Sequence, residues 1–168
     1  MTDLQEVDRI AAADHHLAVV STTRADGSVQ ASVVNAGIVG HPASGDQVVA
    51  FVTYGPAKLA HLRARPRATL VFRAGWSWAA VEGRTELAGP DDPFPGIDPE
   101  RLRLLLREIF TAAGGSHDDW AAYDRVMAEQ RRRGPPPPPP GAARGPGAAP
   151  GPTARWWLVR AGRGTSPT

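Results

Sequence analysis

The 168-residue sequence contains no cysteine, which excludes a disulfide framework and any thiolate metal site. No apolar run approaches the roughly 20 residues that a membrane-spanning helix needs. The opening MTDLQEVDRI is too acidic and polar for a signal peptide or an anchor. A soluble cytoplasmic protein with no membrane partner is expected. No phosphate-loop or dinucleotide glycine fingerprint occurs; the closing GRGTSPT follows a strand-like run but opens no helix. Acidic residues are missing from 131–168, which carry seven arginines, whereas 91–130 carry nine acids and four arginines. The net charge of +2 therefore combines an acidic segment with a basic tail. That tail is rich in proline and glycine rather than a basic stripe interleaved with aromatics, so nucleic acid is not an expected partner. Lysine is the scarcest charge: of 19 basic side chains only Lys58 is not arginine.

What remains is a chain with 42% hydrophobic residues, long enough to bury one core. A helix is expected over 2–13, with Thr2 and Gln5 spaced as a capping box. Strands are expected at 17–23, 28–38, 46–54, 67–74 and 76–89 from period-two alternation, and 154–162 has the composition of a last strand. Asp26-Gly27 is a hairpin turn. Gly55-Pro56 ends the third strand and starts a short helix, PAKLAHLRAR, which Pro66 ends. Two helices follow, one opened by Asp98-Pro99 and one capped by Ser116. These elements imply a small, mostly β barrel with helices. The domain reading is a barrel over 1–133, a Pro/Gly-rich insertion at 134–152, a final strand at 153–162 and a tail at 163–168.

Few residues carry chemistry. Lys58 lies in the first turn of the short helix, where free backbone N–H groups make an anion site, and a compact ammonium there is not replaced by a planar guanidinium. On the fifth strand Trp76 and Trp78 share a face with Glu82, Arg84 and Glu86. Large aromatics on a charged face imply a contact, either with a subunit or with a flat ligand held at a subunit boundary. His61 follows Lys58 by three residues and reads as solvated surface. His117, Asp118 and Asp119 could suggest a metal, but Ser116 and Asp119 fit a helix cap, and no metal site is expected because no ligand spacing supports one. No nucleophile with a base, and no carboxylate pair, can be assembled. If the protein is an enzyme, a bound cofactor carries the reaction.

The run from Thr53 through GPAKLAHL, RPRATLVF and WSWAAVEG resembles the pyridoxamine-phosphate-oxidase-like proteins, the split β-barrel binders of flavin and deazaflavin. Lys58, eight residues before Pro66, matches a family position that holds cofactor phosphate. Gly75-Trp76-Ser77-Trp78 and, more loosely, SHDDWAAYDRVM resemble the branch that binds the deazaflavin coenzyme F420. FMN-binding members usually carry basic residues on the second strand, where this chain has Gln30, Ser32 and Asn35. The resemblance covers about residues 4–133. It implies a six-stranded antiparallel Greek-key barrel of the FMN-binding split-barrel type and a homodimer with two cofactor sites at the subunit boundary. It implies F420-dependent hydride transfer with a small-molecule substrate. Lys58 with Pro56 and Ala57 would hold phosphate, assisted by Arg63, Arg67 or the arginines at 131–133. Gln30, Ser32 and Thr53 would line the ring and ribityl chain, and Trp76 and Trp78 would wall the pocket. An FMN-dependent oxidase or reductase, or a non-catalytic binder of cofactor or haem, are the alternatives.

Overall fold

Alternating burial turns the first half of the chain into five strands: β1 (Leu17–Thr23), β2 (Val29–Gly40), β3 (Gln47–Thr53), β4 (Arg67–Ala74) and β5 (Ser77–Ala88). The structure is a computed structural model that describes residues 3–53, 56–89, 92–133 and 155–161, with 130–133 and 155–161 described by backbone alone. The sixth strand, β6 (Arg155–Ala161), fits between β3 and β5. Every neighbouring pair is antiparallel, and the sheet closes in the order β1-β2-β3-β6-β5-β4. This is the expected six-stranded antiparallel split barrel. The insertion at 134–152 and the tail at 163–168 lie outside the described residues.

Inward positions of the strands make the main core. Val20, Phe51, Leu70, Phe72 and Val81 are fully buried there. One helix enters from each end. α1 (Leu4–Ala13) contributes Val7, Ile10 and Ala11, and α2 (Pro56–Ala64) contributes Leu59 and Leu62. β3 is buried on both faces, as its unbroken apolar run VVAFV requires. Its outer face and that of β2 meet α3 (Pro99–Ala112) and α4 (Trp120–Arg133), where Val48, Ala50, Leu105, Ile109 and Tyr123 form a second core.

Helix starts correct two expectations. Asp3, not Thr2, caps α1, accepting from the Gln5 N–H at 2.9 Å. Asp119, not Ser116, caps α4, accepting from the Ala122 N–H at 2.9 Å. An aspartate nearer the first turn outcompetes the hydroxyl in both cases. Asp98 caps α3 as expected. Arg103 and Arg107 of α3 both donate to Asp124, fastening α4 to α3. The Arg107 and Arg103 hydrogen bonds hold the Asp124 carboxyl below the usual carboxylate range.

Candidate functional site

α2 lies between the end of β3 and the start of β4, so its first turn opens over one end of the barrel. Lys58 is the third residue of that turn. It is only 6% exposed, although a lysine at a helix start is ordinarily solvated. The reason is helical spacing: Lys58 falls one turn before Leu62, and the two share the buried side of α2 with Leu59. The ammonium Nζ sits 5.8 Å from the centroid of the Phe51 ring, near the outer limit for a cation–π contact. Among the described residues no carboxylate pairs with it. Burial alone pushes its pKa down to about 8. A buried cation without a counter-charge is costly, and an anion brought from outside the chain would relieve it.

Polar groups without partners surround the same end. In the β1–β2 register Thr22 pairs with Gln30 and Val20 with Ser32, and Val20 is core. Gln30 and Ser32 therefore point inward. Gln30 Oε1, Ser32 Oγ and Thr22 Oγ1 are buried with no hydrogen-bond partner. Thr85 Oγ1 is a fourth such atom; the Thr85 N–H donates to Pro66 O at 2.9 Å, which fixes it at the end where α2 leads into β4. His61 Nδ1, three residues beyond Lys58, is a fifth, so His61 is not the solvated side chain that was expected. Thr53, which is not one of these unpartnered groups, is buried at the end of β3, two residues beyond Phe51. Buried polar atoms are almost always paired, so this many orphans at one barrel end fit a polar ligand. The donor set is neutral apart from Lys58. It suits a hydroxylated chain ending in one anionic group. Thr22 and Thr85 were missed from sequence; their only signal is an inward hydroxyl in an otherwise apolar alternation.

The other expected residues stand elsewhere. Pro56 is exposed and Ala57 half-buried at the start of α2. Arg63 donates to Asp92 at 3.0 and 2.7 Å, and Arg67 to Glu82 at 2.9 Å. Trp76 does not lie on β5 as expected. Gly75 takes φ +60, the strand starts at Ser77, and Trp76 forms the β4–β5 hairpin tip, 99% exposed. Trp78 is outward on β5, opposite Arg73. About 20 Å of strand separates Trp78 from Thr85. One chain alone does not bring the tryptophans to Lys58.

One further constellation has the residue types of a hydrolytic triad. His41 Nε2 is 3.0 Å from Glu86 Oε2, and His41 Nδ1 is 3.1 Å from Ser44 Oγ. The serine proton is engaged, however: Ser44 Oγ donates to Asp46 Oδ2 at 2.7 Å. His41 Nδ1 also accepts from the Ser44 and Ala43 N–H groups. The cluster ties down the β2–β3 turn and offers no activated nucleophile.

The sequence pattern of the family described as pyridoxamine 5'-phosphate oxidase matches residues 5–97, from α1 through β5 and the loop after it. Among solved structures, the conserved hypothetical protein Rv2991 of Mycobacterium tuberculosis superposes with a TM-score of 0.59 at 13% identity, over 98% of this chain and 83% of its own. A pyridoxamine 5'-phosphate oxidase-related, FMN-binding protein of Nostoc punctiforme gives 0.56 at 17% identity, over 94% and 76%. An F420 reductase gives 0.50 at 14% identity, over 89% of each chain. At such identities the likeness is one of fold.

Proposed function

The chain belongs to the pyridoxamine 5'-phosphate oxidase family, and from that premise we propose that it is an F420-dependent oxidoreductase acting on a small organic substrate. The observation that carries this reading is the Lys58 end of the barrel, with a buried cation that no described carboxylate pairs, together with the inward, neutral and unpartnered Gln30 and Ser32. The FMN-binding members that the sequence resembles usually carry basic residues on the second strand, and the neutral pair here favours the deazaflavin. The fold likeness to an F420 reductase agrees with it.

A bound deazaflavin supplies the two-electron hydride chemistry. The chain's own residues bind and orient. Lys58, with the Ala57 and Lys58 N–H groups at the start of α2, holds the phosphate. Pro56 has no N–H to offer and sets the entry angle of the helix. Gln30, Ser32 and Thr53 hydrogen-bond the polar chain and ring, and their inward placement keeps that contact out of bulk water.

The tryptophans join this site only if a second copy supplies them, and the apolar outer face of the barrel supports that reading. Val33, Val19, Val71 and Ala80 stand side by side across the outer face of β2, β1, β4 and β5. Leu17, Val29 and Trp78, all exposed, flank this row. An apolar strip across four strands marks an interaction surface. Its rim of Arg67, Arg73, Glu82 and Arg84 carries both signs of charge, which suits a self-complementary contact about a two-fold axis. Val33→Asp, at a position already 64% exposed, should leave the fold intact and give a monomer by light scattering. Cofactor affinity should fall with it. A dimer of undiminished stability would refute this surface.

Titration of the purified protein with F420 and FMN side by side tests the cofactor. Tighter binding of F420 is expected. Tighter FMN binding would replace this reading with an FMN-dependent one, and binding of neither would remove both.

A further inference from the structure

A cavity of about 760 Å3 lies between the α1–β1 turn and the α3–α4 pair, a volume typical of small-molecule sites. It shares no lining residue with the Lys58 cluster. We propose that it binds a small, neutral, planar aromatic molecule whose one hydrogen-bonding group is read by the His16 imidazole. This site stands independently of the cofactor reading.

Four observations meet here. First, His16 Nδ1 is buried with no partner while its ring lines the cavity. Second, His15 and His16 both hold left-handed backbone, φ +55 and +56, a conformation that non-glycine residues keep only when their surroundings fix it. Here they do: His16 N–H donates to Ala11 O at 2.7 Å, Asn35 Nδ2 to His15 O at 2.9 Å, and Ala36 N–H to His16 O at 2.9 Å. The turn is held so that the imidazole faces the space. Third, the α3–α4 turn is stripped of side chains where the His16 and Phe110 rings of the cavity lining pack against it. A Cβ on Gly114 would fall 2.6 Å from His16 Cδ2, and one on Gly115 would fall 2.5–2.7 Å from Phe110 ring atoms. Phe110 and Tyr123, with ring centroids 4.8 Å apart, complete an aromatic wall. Fourth, none of the described lining residues is Lys, Arg, Asp or Glu. A charged ligand would be desolvated there with nothing to pair it, whereas an aromatic ring meets apolar and aromatic walls.

The probes are 1-naphthol, naphthalene and 1-naphthoate, titrated calorimetrically or by ligand-observed NMR into the full-length protein without cofactor. 1-Naphthol should bind once per chain and about tenfold tighter than naphthalene, the value of one hydrogen bond. 1-Naphthoate should bind more weakly than 1-naphthol. His16→Gly suits the left-handed backbone and removes the imidazole, so the preference for naphthol over naphthalene should collapse to about one. Ala12→Phe fills the cavity from an exposed position on α1, so it should fold normally and lose most naphthol affinity. Lys58→Met should leave naphthol binding unchanged. The proposal is overturned by a wild-type protein that ignores millimolar naphthol, by an Ala12→Phe variant that binds as well as wild type, or by a His16→Gly variant that keeps the discrimination. Loss of naphthol binding in Lys58→Met would also overturn it, placing the probe in the Lys58 cluster.

Discussion

Lys58→Met should make the protein without cofactor more stable and cofactor binding much weaker. Burial holds the Lys58 pKa at about 8, against an ordinary 10.5. That difference corresponds to about 3 kcal/mol of native-state cost at neutral pH. The sign follows from proton counts. Below pH 8 both folded and unfolded chains carry the charge, and the cost is fully present. Between about pH 8 and 10.5 the folded chain has lost the proton while the unfolded chain keeps it, so wild-type stability rises with pH through that window. Methionine fills much the same volume without the charge. Urea unfolding of the apo proteins at pH 7 should therefore favour Lys58→Met by up to about 3 kcal/mol, and the gap should narrow at pH 9.5. Cofactor affinity should move the other way. A charged hydrogen bond to phosphate is worth roughly 1.5–3 kcal/mol, or about ten- to a hundredfold or somewhat more in Kd. Wild-type affinity should also weaken with added salt more steeply than that of the variant. A variant less stable than wild type at pH 7, or one that binds F420 equally well, would show that Lys58 serves packing and not an anion. Stability given up at a site for the sake of binding is a common trade.

The sequence alone supports a different outcome at this residue. An exposed lysine at a helix start would contribute little to folding, and its exchange would pass almost unnoticed in stability. The signal that corrects this is local: Lys58 and Leu62 are four apart, and a nine-residue helix closing a barrel end has one buried side. Other features were legible because they rest on short-range rules. β1 and β4 run over the expected residues, each alternating between polar boundaries, and Pro56 and Pro66 bracket α2. At Trp76 alternation was carried one residue too far, into a hairpin tip that Gly75 with its positive φ defines. The orphaned hydroxyls of Thr22 and Thr85 depend on the register between distant strands, which period-two patterning does not fix. The His16 cavity depends on α3 and α4 docking on β2 and β3, and α3 begins more than about 80 residues along the chain from the α1–β1 turn. Nothing in the HH dipeptide itself announces a left-handed pair.

Gly37→Ala should be a strongly damaging single-methyl change. Gly37 lies on β2 opposite Ala50, on the outer face covered by α3. A Cβ there would fall 2.2 Å from the Ala112 carbonyl carbon, 2.3 Å from its oxygen and 2.7 Å from its Cβ. The obstacle is mainly helix backbone, which cannot swing aside as a flexible side chain can. The end of α3 would have to lift off the sheet, loosening Ile109 and the second core that it shares with Ala50 and Val48. Overpacking of a tight core costs about 1–3 kcal/mol and more when backbone must move, so a loss of at least about 3 kcal/mol is expected, or roughly 10 °C in thermal midpoint for a chain of this size. The Ala113–Gly115 wall of the cavity follows directly on α3, so naphthol binding should fall in the same variant even below its midpoint. Gly40 provides the control. It lies three residues along the same strand, and nothing comes within 4 Å of a Cβ built there; Gly40→Ala should change the midpoint by no more than a degree or two. Equal midpoints for the two variants would mean that α3 does not approach β2 this closely and that the cavity wall is not held where the structure puts it.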